Sequence, residues 1–179
     1  MAPGKSLSVG KRRSAARLAA VQALYQMDVA GGEANSVVGE FTQYRLGEDV
    51  EGVAIVEADR ELFGDIVLGV TAHRADIDDR LRSVLTGIWT LDKLELLVRE
   101  ILRAATYELM QRTDIDPPLT ISEYVDLTAA FFSEKEPDFV NSILDQIARG
   151  SRSADMPDRK AEAAPETTPE TGPDTDENR

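Results

Sequence analysis

The sequence of 179 residues contains no cysteine, one histidine and one tryptophan. The lack of cysteine excludes a disulfide framework, a thiolate zinc site and a cysteine nucleophile. His73 alone supplies too few imidazole ligands for most metal sites, so we expect no metal and no other cofactor. No stretch approaches the roughly 20 apolar residues that cross a bilayer, and residues 1–10 lack the apolar centre of a secretory signal. We therefore expect a cytoplasmic protein without a membrane partner.

Motifs of common enzymes are also lacking. The sequence has no G-x-S-x-G, no Walker glycine loop, no G-x-G-x-x-G after a strand and no H-E-x-x-H. His73 could serve as a general base beside Asp76, but a partly exposed helix histidine accounts for the same residue. We therefore predict that the protein is not an enzyme.

Charge is unevenly distributed along the chain. The formal net charge is −13, which by itself would repel the phosphates of a nucleic acid. Residues 1–27 nevertheless carry five basic residues and no acid, whereas residues 28–149 have a net charge of −14 and residues 150–179 one of −4. The Debye length is about 8 Å at physiological salt, so a phosphate near the N-terminus responds mainly to the local positive charge. The net charge therefore does not exclude RNA as a partner.

The composition divides the chain into three parts. We expect residues 1–10 to be flexible and residues 11–149 to form one domain. Residues 150–179 hold four of the eight prolines and no aromatic residue, which is typical of a disordered acidic tail. The charge of this tail could compete with RNA for the basic N-terminus, or it could serve solubility alone.

Apolar residues of the domain recur at helical spacing almost throughout, which predicts an all-α domain of about seven helices. A first helix should end near Gly31. The longest pattern, over residues 91–109, predicts one helix of about five turns. Thr120 and Glu123 have the spacing of a capping box at the start of the next helix, and Pro137 should open the last one.

Four basic side chains lie at the N-terminal end of the first predicted helix: Lys11, Arg12, Arg13 and Arg17. The helix macrodipole disfavours cations there by roughly 0.3 to 1 kcal/mol each. Arg13 and Arg17 also form a like-charge pair four residues apart, which is unfavourable. A bound phosphate would reverse both effects, because helix N-termini and arginine side chains attract it. We therefore predict RNA binding at this end, with a merely solubilising basic end as the alternative.

Several segments of the domain carry recognisable motifs. They are RSAARLAAVQALYQMD (residues 13–28), LRAATYEL (102–109), ISEYVDLTAAFF (121–132) and FVNSILDQIAR (139–149). In this order they resemble the NusB family of bacterial transcription antitermination factors, and the resemblance covers essentially all of residues 11–149. It implies two small helical bundles packed at an angle and no enzymatic activity.

The resemblance also implies a function and its partners. Members of the family bind the boxA element of ribosomal RNA leader transcripts together with the ribosomal protein NusE. The complex joins RNA polymerase and other Nus factors and keeps ribosomal RNA transcription processive. Arg13 and Arg17 match basic family positions on the first helix, and Lys11 and Arg12 lie just upstream.

Further residues receive roles from the same resemblance. Lys135, in a loop that resembles an RNA-facing loop, and Phe139, which precedes Val-Asn in the last motif, are predicted to contact RNA; a core phenylalanine is the alternative for Phe139. Tyr25, which ends the motif AVQALY, is the candidate contact for NusE, with plain helix packing as the alternative. We expect Arg103, paired with an acid, and Asn141, through a hydrogen bond, to join helices.

Two other functions are compatible with the sequence. One is a helical protein-binding adaptor without RNA activity, whose basic end is incidental. The other is a stand-alone relative of the helical domain that occurs fused to ribosomal RNA methyltransferases. The sequence is compatible with both a monomer and a homodimer.

Overall fold

The computed structural model describes residues 7–46, 57–133 and 135–157. Within these ranges the chain forms seven α-helices, two short 3₁₀ helices and no strand, which confirms the predicted all-α fold. The α-helices are α1 (Val9–Ala30), α2 (Ala34–Tyr44), α3 (Arg60–Ala72), α4 (Arg74–Val84), α5 (Leu96–Gln111), α6 (Pro117–Ala129) and α7 (Lys135–Ser151).

The helices form two bundles that share α5. Helices α1, α2 and α3 pack against one another on one side, while α4, α6 and α7 surround α5 on the other. Helix α5 contacts α1, α3, α4, α6 and α7, and its residues 101–109 are all buried. This central position explains why its apolar pattern is the longest in the sequence.

Local sequence accounts for both ends of α1. The hydroxyl of Ser8 accepts a hydrogen bond from the backbone N–H of Lys11 at 3.4 Å and caps the first turn. Gly31 ends the helix with φ +76°, in the left-handed region that favours glycine. The predicted end of the first helix at Gly31 is therefore confirmed.

The predicted single helix over residues 91–109 is wrong at its start. A 3₁₀ helix, Leu91–Lys93, precedes α5, and Glu95 caps α5 by accepting a hydrogen bond from the N–H of Val98 at 3.3 Å. Leu91 and Leu94 are buried, like Leu102 and Leu109 of α5. Apolar spacing alone could not separate the two elements, because both bury leucines against the same core.

The predicted capping box at Thr120 is also wrong. Helix α6 begins four residues earlier, with Asp116 at the cap position and Pro117 as the first helical residue. Proline suits this position because its missing N–H would have no partner there. Thr120 is buried inside the helix, and the carboxylate of Glu123 accepts hydrogen bonds from α1 instead.

Ordered structure continues past the predicted start of the tail at residue 150. Helix α7 ends at Ser151, and Met156 packs against the core. Between them Arg152 donates hydrogen bonds to the carbonyl oxygens of Ile115 at 2.8 Å, Arg112 at 3.2 Å and Thr113 at 3.3 Å. Residues 152–157 are thus attached to the turn between α5 and α6. Residues 158–179 and 1–6, on which the predictions of a tail and a flexible N-terminus mainly fall, lie outside the described residues.

Candidate nucleic-acid and partner interface

One face of α1 is exposed along the whole helix. Its members follow a spacing of three or four residues: Lys11, Ser14, Leu18, Gln22, Tyr25 and Val29. The N-terminal end of the face is basic and polar, whereas its C-terminal end presents Tyr25 and Val29, which are 39% and 61% exposed. Lys11 and Tyr25, predicted to contact RNA and NusE, therefore share one face and lie about 21 Å apart along the helix.

Arg12 and Arg13 lie at the same basic end, each near one carboxylate. The Nε atom of Arg12 is 3.5 Å from Oε1 of Glu57, and that of Arg13 is 3.8 Å from Oδ2 of Asp59. Both arginine side chains are 39% exposed. Long, exposed ion pairs of this kind contribute little. Both guanidinium groups can therefore exchange these contacts for a phosphate.

Arg17 lies inside the protein, so the prediction that it binds RNA is corrected. Its side chain is 3% exposed, and its Nε and Nη2 each donate a hydrogen bond of 2.9 Å to the carboxylate of Glu108. A third hydrogen bond, from Nη1, reaches Glu123 at 3.2 Å. Burial alone would lower the pKa of Arg17, but the Glu108 carboxylate raises it above the ordinary value. Arg17 therefore joins α1 to α5 and α6 and is not available to a phosphate.

Two further side chains complete the polar cluster around Arg17. The hydroxyl of Tyr124, fully buried on α6, donates to Glu108 at 2.8 Å. Burial and the Glu108 carboxylate raise the pKa of Tyr124 well above its ordinary value, so the phenol keeps its proton. The hydroxyl of Ser14 donates to Glu123 at 2.6 Å. Ser14, to which the sequence assigned no role, thus fixes the exposed face of α1 to α6.

Lys135 and Phe139 lie at the start of α7, after the connection that follows α6. Lys135 is exposed, whereas Phe139 is half-buried and packs against the core, as the alternative interpretation of this residue expected. From Glu123, which Ser14 contacts, α6 continues about 9 Å to its last residue. The fold therefore brings the basic end of α1 and the start of α7 to neighbouring parts of α6.

Lysines and arginines of the described residues differ in their partners. Every described arginine contacts a carboxylate or a backbone or side-chain oxygen, and Arg17 and Arg103 are held most tightly. The described lysines, Lys11, Lys93 and Lys135, form no ion pair within these ranges. The positive charge most readily available to a phosphate therefore lies on exposed lysines, with Arg12 and Arg13 beside Lys11.

A second cluster of charges joins α1, α4 and α5. Arg103 donates hydrogen bonds of 2.8 and 2.9 Å to Asp78 and further ones to Glu100 and Asp28, which confirms that it ties helices together. Burial raises the pKa of Glu100 to about 7, against the opposing charge of Arg103. Burial would also raise the pKa of Asp28, but hydrogen bonds from Arg74 lower it. The cluster is largely enclosed and stabilises the fold.

Asn141 does not join helices as predicted. It is exposed, makes no side-chain hydrogen bond within the described residues, and lines a groove of about 1000 Å³ between α6 and α7. Asp138 and Asp145 line the same groove, and its one cation, Arg149, is bonded to Asp145 at 2.9 Å. Because this lining is acidic, the groove is not suited to a phosphate.

Comparison with known proteins decides the family. A family model described as the NusB family matches residues 14–149. The chain belongs to the NusB family. Its relatives include the transcription antitermination protein NusB of Mesorhizobium japonicum, 47% identical over 141 residues that make up 79% of this chain and 91% of the relative. The corresponding protein of Novosphingobium aromaticivorans is 47% identical over 143 residues, 80% of this chain and 97% of the relative.

Solved structures of NusB share the fold. NusB of T. maritima matches with a TM-score of 0.66 at 28% identity, covering 80% of this chain and 95% of that one. A crystal structure of the antitermination factors NusB and NusE in complex with dsRNA matches with a TM-score of 0.64 at 23% identity, covering 76% of this chain and 96% of that one. At this identity the second likeness concerns the fold alone. Across the described residues, no helix has the length and apolar character needed to span a membrane.

Proposed function

We propose that this NusB-family protein is an RNA-binding transcription antitermination factor. It binds the boxA element of ribosomal RNA leader transcripts together with the ribosomal protein NusE and promotes processive ribosomal RNA transcription. The observation that carries the proposal is the exposed face of α1, which is basic at one end and apolar at the other. One helix thereby offers separate contacts to a phosphate backbone and to a protein.

The RNA side of the proposed surface combines charge with one aromatic ring. Lys11, Arg12 and Arg13 supply positive charge at the start of α1, and Lys135 and Phe139 add a cation and a ring at the start of α7. Neutralising about three phosphates gives a slope of roughly −2 for log affinity against log salt on single-stranded RNA. Binding of this strength is weak in isolation, which is why a second partner is needed.

The NusE side lies on the C-terminal half of the α1 face. Tyr25 and Val29 lie there, Leu18 lies near the middle of the same face, and all three are at least 36% exposed. Aromatic and aliphatic side chains in one stripe are typical of the apolar centre of a protein interface. NusE bound here would lie beside the RNA and add its own contacts to the complex.

The proposed action is binding and not catalysis. His73, the one candidate general base, is half-exposed at the junction of α3 and α4, with Nδ1 at 3.9 Å from a carboxylate oxygen of Asp76. The protein would join RNA polymerase and other Nus factors in the bacterial cytoplasm, as the role of the family implies. A homodimer of the free protein is a further proposal, and a sedimentation measurement of its mass tests it.

The central experiment is a titration of boxA RNA against the protein with and without NusE. We expect Lys11→Ala/Arg13→Ala to weaken binding in both conditions, because both residues belong to the basic end of α1 that is proposed to bind the phosphate backbone. Arg45→Ala/Arg82→Ala is the matched control, since it removes the same charge from exposed residues elsewhere, Arg45 just after α2 and Arg82 in α4. Equal affinity of the two double variants would contradict the role of the α1 end. RNA binding that is absent even with NusE would favour the protein-binding adaptor.

A further inference from the structure

Trp89, which is exposed, and Phe139, which is half-buried, form an aromatic pair beside the proposed RNA surface. Their ring centroids lie 5.3 Å apart, with the ring planes tilted by 44°. Trp89 is 51% exposed, and its neighbour Ile88 is 75% exposed. Phe139 is one of the residues proposed above to contact RNA. The pair therefore extends that surface from the start of α7 to the turn between α4 and α5.

The turn that carries Trp89 has a defined backbone. Gly87 adopts φ +67°, in the region that favours glycine. The N–H of Trp89 donates a hydrogen bond to the carbonyl of Thr86 at 3.3 Å, and Leu91, two residues further on, is 2% exposed. Trp89 is thus held between a closed turn and a buried anchor. A ligand that contacts its ring has little backbone to order, which favours binding.

Charge around the aromatic pair is close to balanced. Lys93 and Lys135 are exposed here, but so are Asp92 and Asp138, and Glu136 in the first turn of α7 is half-buried. The neighbouring carboxylates therefore make Lys135 a weaker phosphate contact than the cations at the start of α1. An unpaired base, in contrast, stacks on an aromatic ring whatever the local charge, and such stacking is a principal mode of single-stranded RNA recognition.

We propose that Trp89 stacks on an unpaired base of the bound RNA, with Phe139 supporting its ring from the side. The inference rests on the proposed function, because it places the base next to the RNA contacts of α7. Stacking supplies a part of the affinity that is independent of salt. Lys11 and Arg13 supply the part that depends on salt.

Trp89 is the single tryptophan of the chain, so its intrinsic fluorescence reports on this position alone. We would titrate single-stranded boxA RNA into the full-length protein at low salt and follow both tryptophan fluorescence and RNA anisotropy. We expect fluorescence quenching that saturates together with the anisotropy. Trp89→Ala should weaken binding about 5- to 100-fold with an unchanged salt slope, while Trp89→Phe should retain most of the affinity.

Loss of affinity in Trp89→Ala could also come from a displaced Phe139, so a second measurement isolates stacking. RNAs with one abasic nucleotide at successive positions are compared on the wild type and on Trp89→Ala. One abasic position should weaken wild-type binding about 5- to 100-fold and have little effect on the variant. Equal losses in both proteins at every position would overturn the inference. Lys11→Ala/Arg13→Ala should keep the abasic effect and lose part of the salt slope.

The outcomes separate this inference from the function on which it rests. RNA that binds by anisotropy without quenching Trp89, and equally well to Trp89→Ala, overturns the stacking and leaves RNA binding in place. Quenching by NusE but not by RNA overturns it in favour of a protein contact. Failure of the wild type to bind RNA, with and without NusE, overturns both proposals.

Discussion

Arg17 and Glu108 form a two-pronged ion pair in the interior, with both N···O distances at 2.9 Å. Glu108 is fully buried, and Tyr124 donates to the same carboxylate. The pair therefore lies where α1, α5 and α6 meet. Arg17 thus stabilises the fold, although it belongs to a positively charged segment whose other basic residues, one turn earlier, are accessible to solvent.

Removal of Arg17 should destabilise the protein strongly. Arg17→Met leaves the Glu108 carboxylate buried without its cation, which costs about 3 to 5 kcal/mol. Arg82→Met is the control, since the exposed pair of Arg82 with Asp79 contributes at most about 1 kcal/mol. Urea unfolding of the two variants gives the comparison. A similar small decrease in the free energy of unfolding in both variants would show that Arg17 is not an interior residue.

The basic end of α1 should set the salt dependence of RNA binding. For single-stranded RNA each neutralised phosphate adds about −0.7 to the slope of log affinity against log salt. Lys11→Ala/Arg13→Ala should therefore make the slope shallower by about 1. Affinity measured by anisotropy between low and physiological salt gives both slopes. An unchanged slope in this variant would place the phosphate contacts elsewhere.

Glu100 should make stability fall as pH rises. Its pKa is raised from 4.5 to about 7 in the folded protein, mainly by burial. The folded state therefore binds the proton of Glu100 more tightly than the unfolded state does. The resulting contribution to the free energy of unfolding is fully present below pH 4.5 and is lost as pH rises through 7. The full effect is on the order of 3 kcal/mol.

A neutral substitution isolates that effect. Glu100→Gln has no proton to lose, so wild-type stability should fall relative to the variant between about pH 5 and pH 8. Urea unfolding of both proteins across this range provides the measurement. Parallel pH profiles would mean that Glu100 titrates near its ordinary value when folded.

Gly69 allows α3 and α5 to approach closely. A Cβ at this position would overlap the ring of Tyr107, which is 6% exposed and whose hydroxyl donates to Asp65 at 2.9 Å. Gly69→Ala should therefore cost about 1 to 3 kcal/mol of stability. Gly39 of α2 has no heavy atom within 4 Å of such a Cβ, so Gly39→Ala should be neutral or stabilise by up to about 1 kcal/mol. Thermal or urea unfolding that ranks the two variants the other way would contradict this packing.

Removal of residues 158–179 should tighten RNA binding at low salt. These residues include seven acids and three bases. They follow a segment that Arg152 attaches to the α5–α6 turn. Asp114 of that turn has a pKa lowered to about 2, foremost by its hydrogen bond from Arg112 and in part by the charge of Arg13 at the basic end of α1.

The measurement compares the full chain with a chain that ends at Pro157, so that the contacts of Arg152 are kept. At about 50 mM salt the shortened chain should bind RNA more tightly than the full chain. The two affinities should converge at higher salt, where the repulsion between the acidic residues and RNA is screened. Equal affinity at low salt would leave solubility as the role of the acidic residues.

The helical fold was predictable because burial of one side of a helix makes apolar residues recur every three or four positions, and the sequence shows this spacing directly. The errors at residues 91–95 and 117–120 share a cause. Apolar spacing does not distinguish a 3₁₀ helix from an α-helix, and a proline can open a helix as readily as follow one. Such boundaries depend on backbone hydrogen bonds that spacing does not record.

The candidate site was predictable in part. Lys11 was placed correctly at the exposed start of α1, but the carboxylates that hold Arg17 come from residues 91 and 106 positions away in sequence. One local signal was present: Arg17, Val21 and Leu24 share one helical face, and all three are buried. Trp89 gave no signal, because a turn residue belongs to no periodic pattern.

The segment LRAATYEL, residues 102–109, is buried at every position. A surface helix has one side on which substitutions are free, but this part of α5 has neighbours all around it. Each residue type is therefore constrained by packing, which makes the segment easy to recognise in sequence. Such a motif therefore identifies the fold and not the ligand. A relative could keep these residues unchanged and lose RNA binding, because the proposed RNA contacts lie on other residues, in α1 and α7.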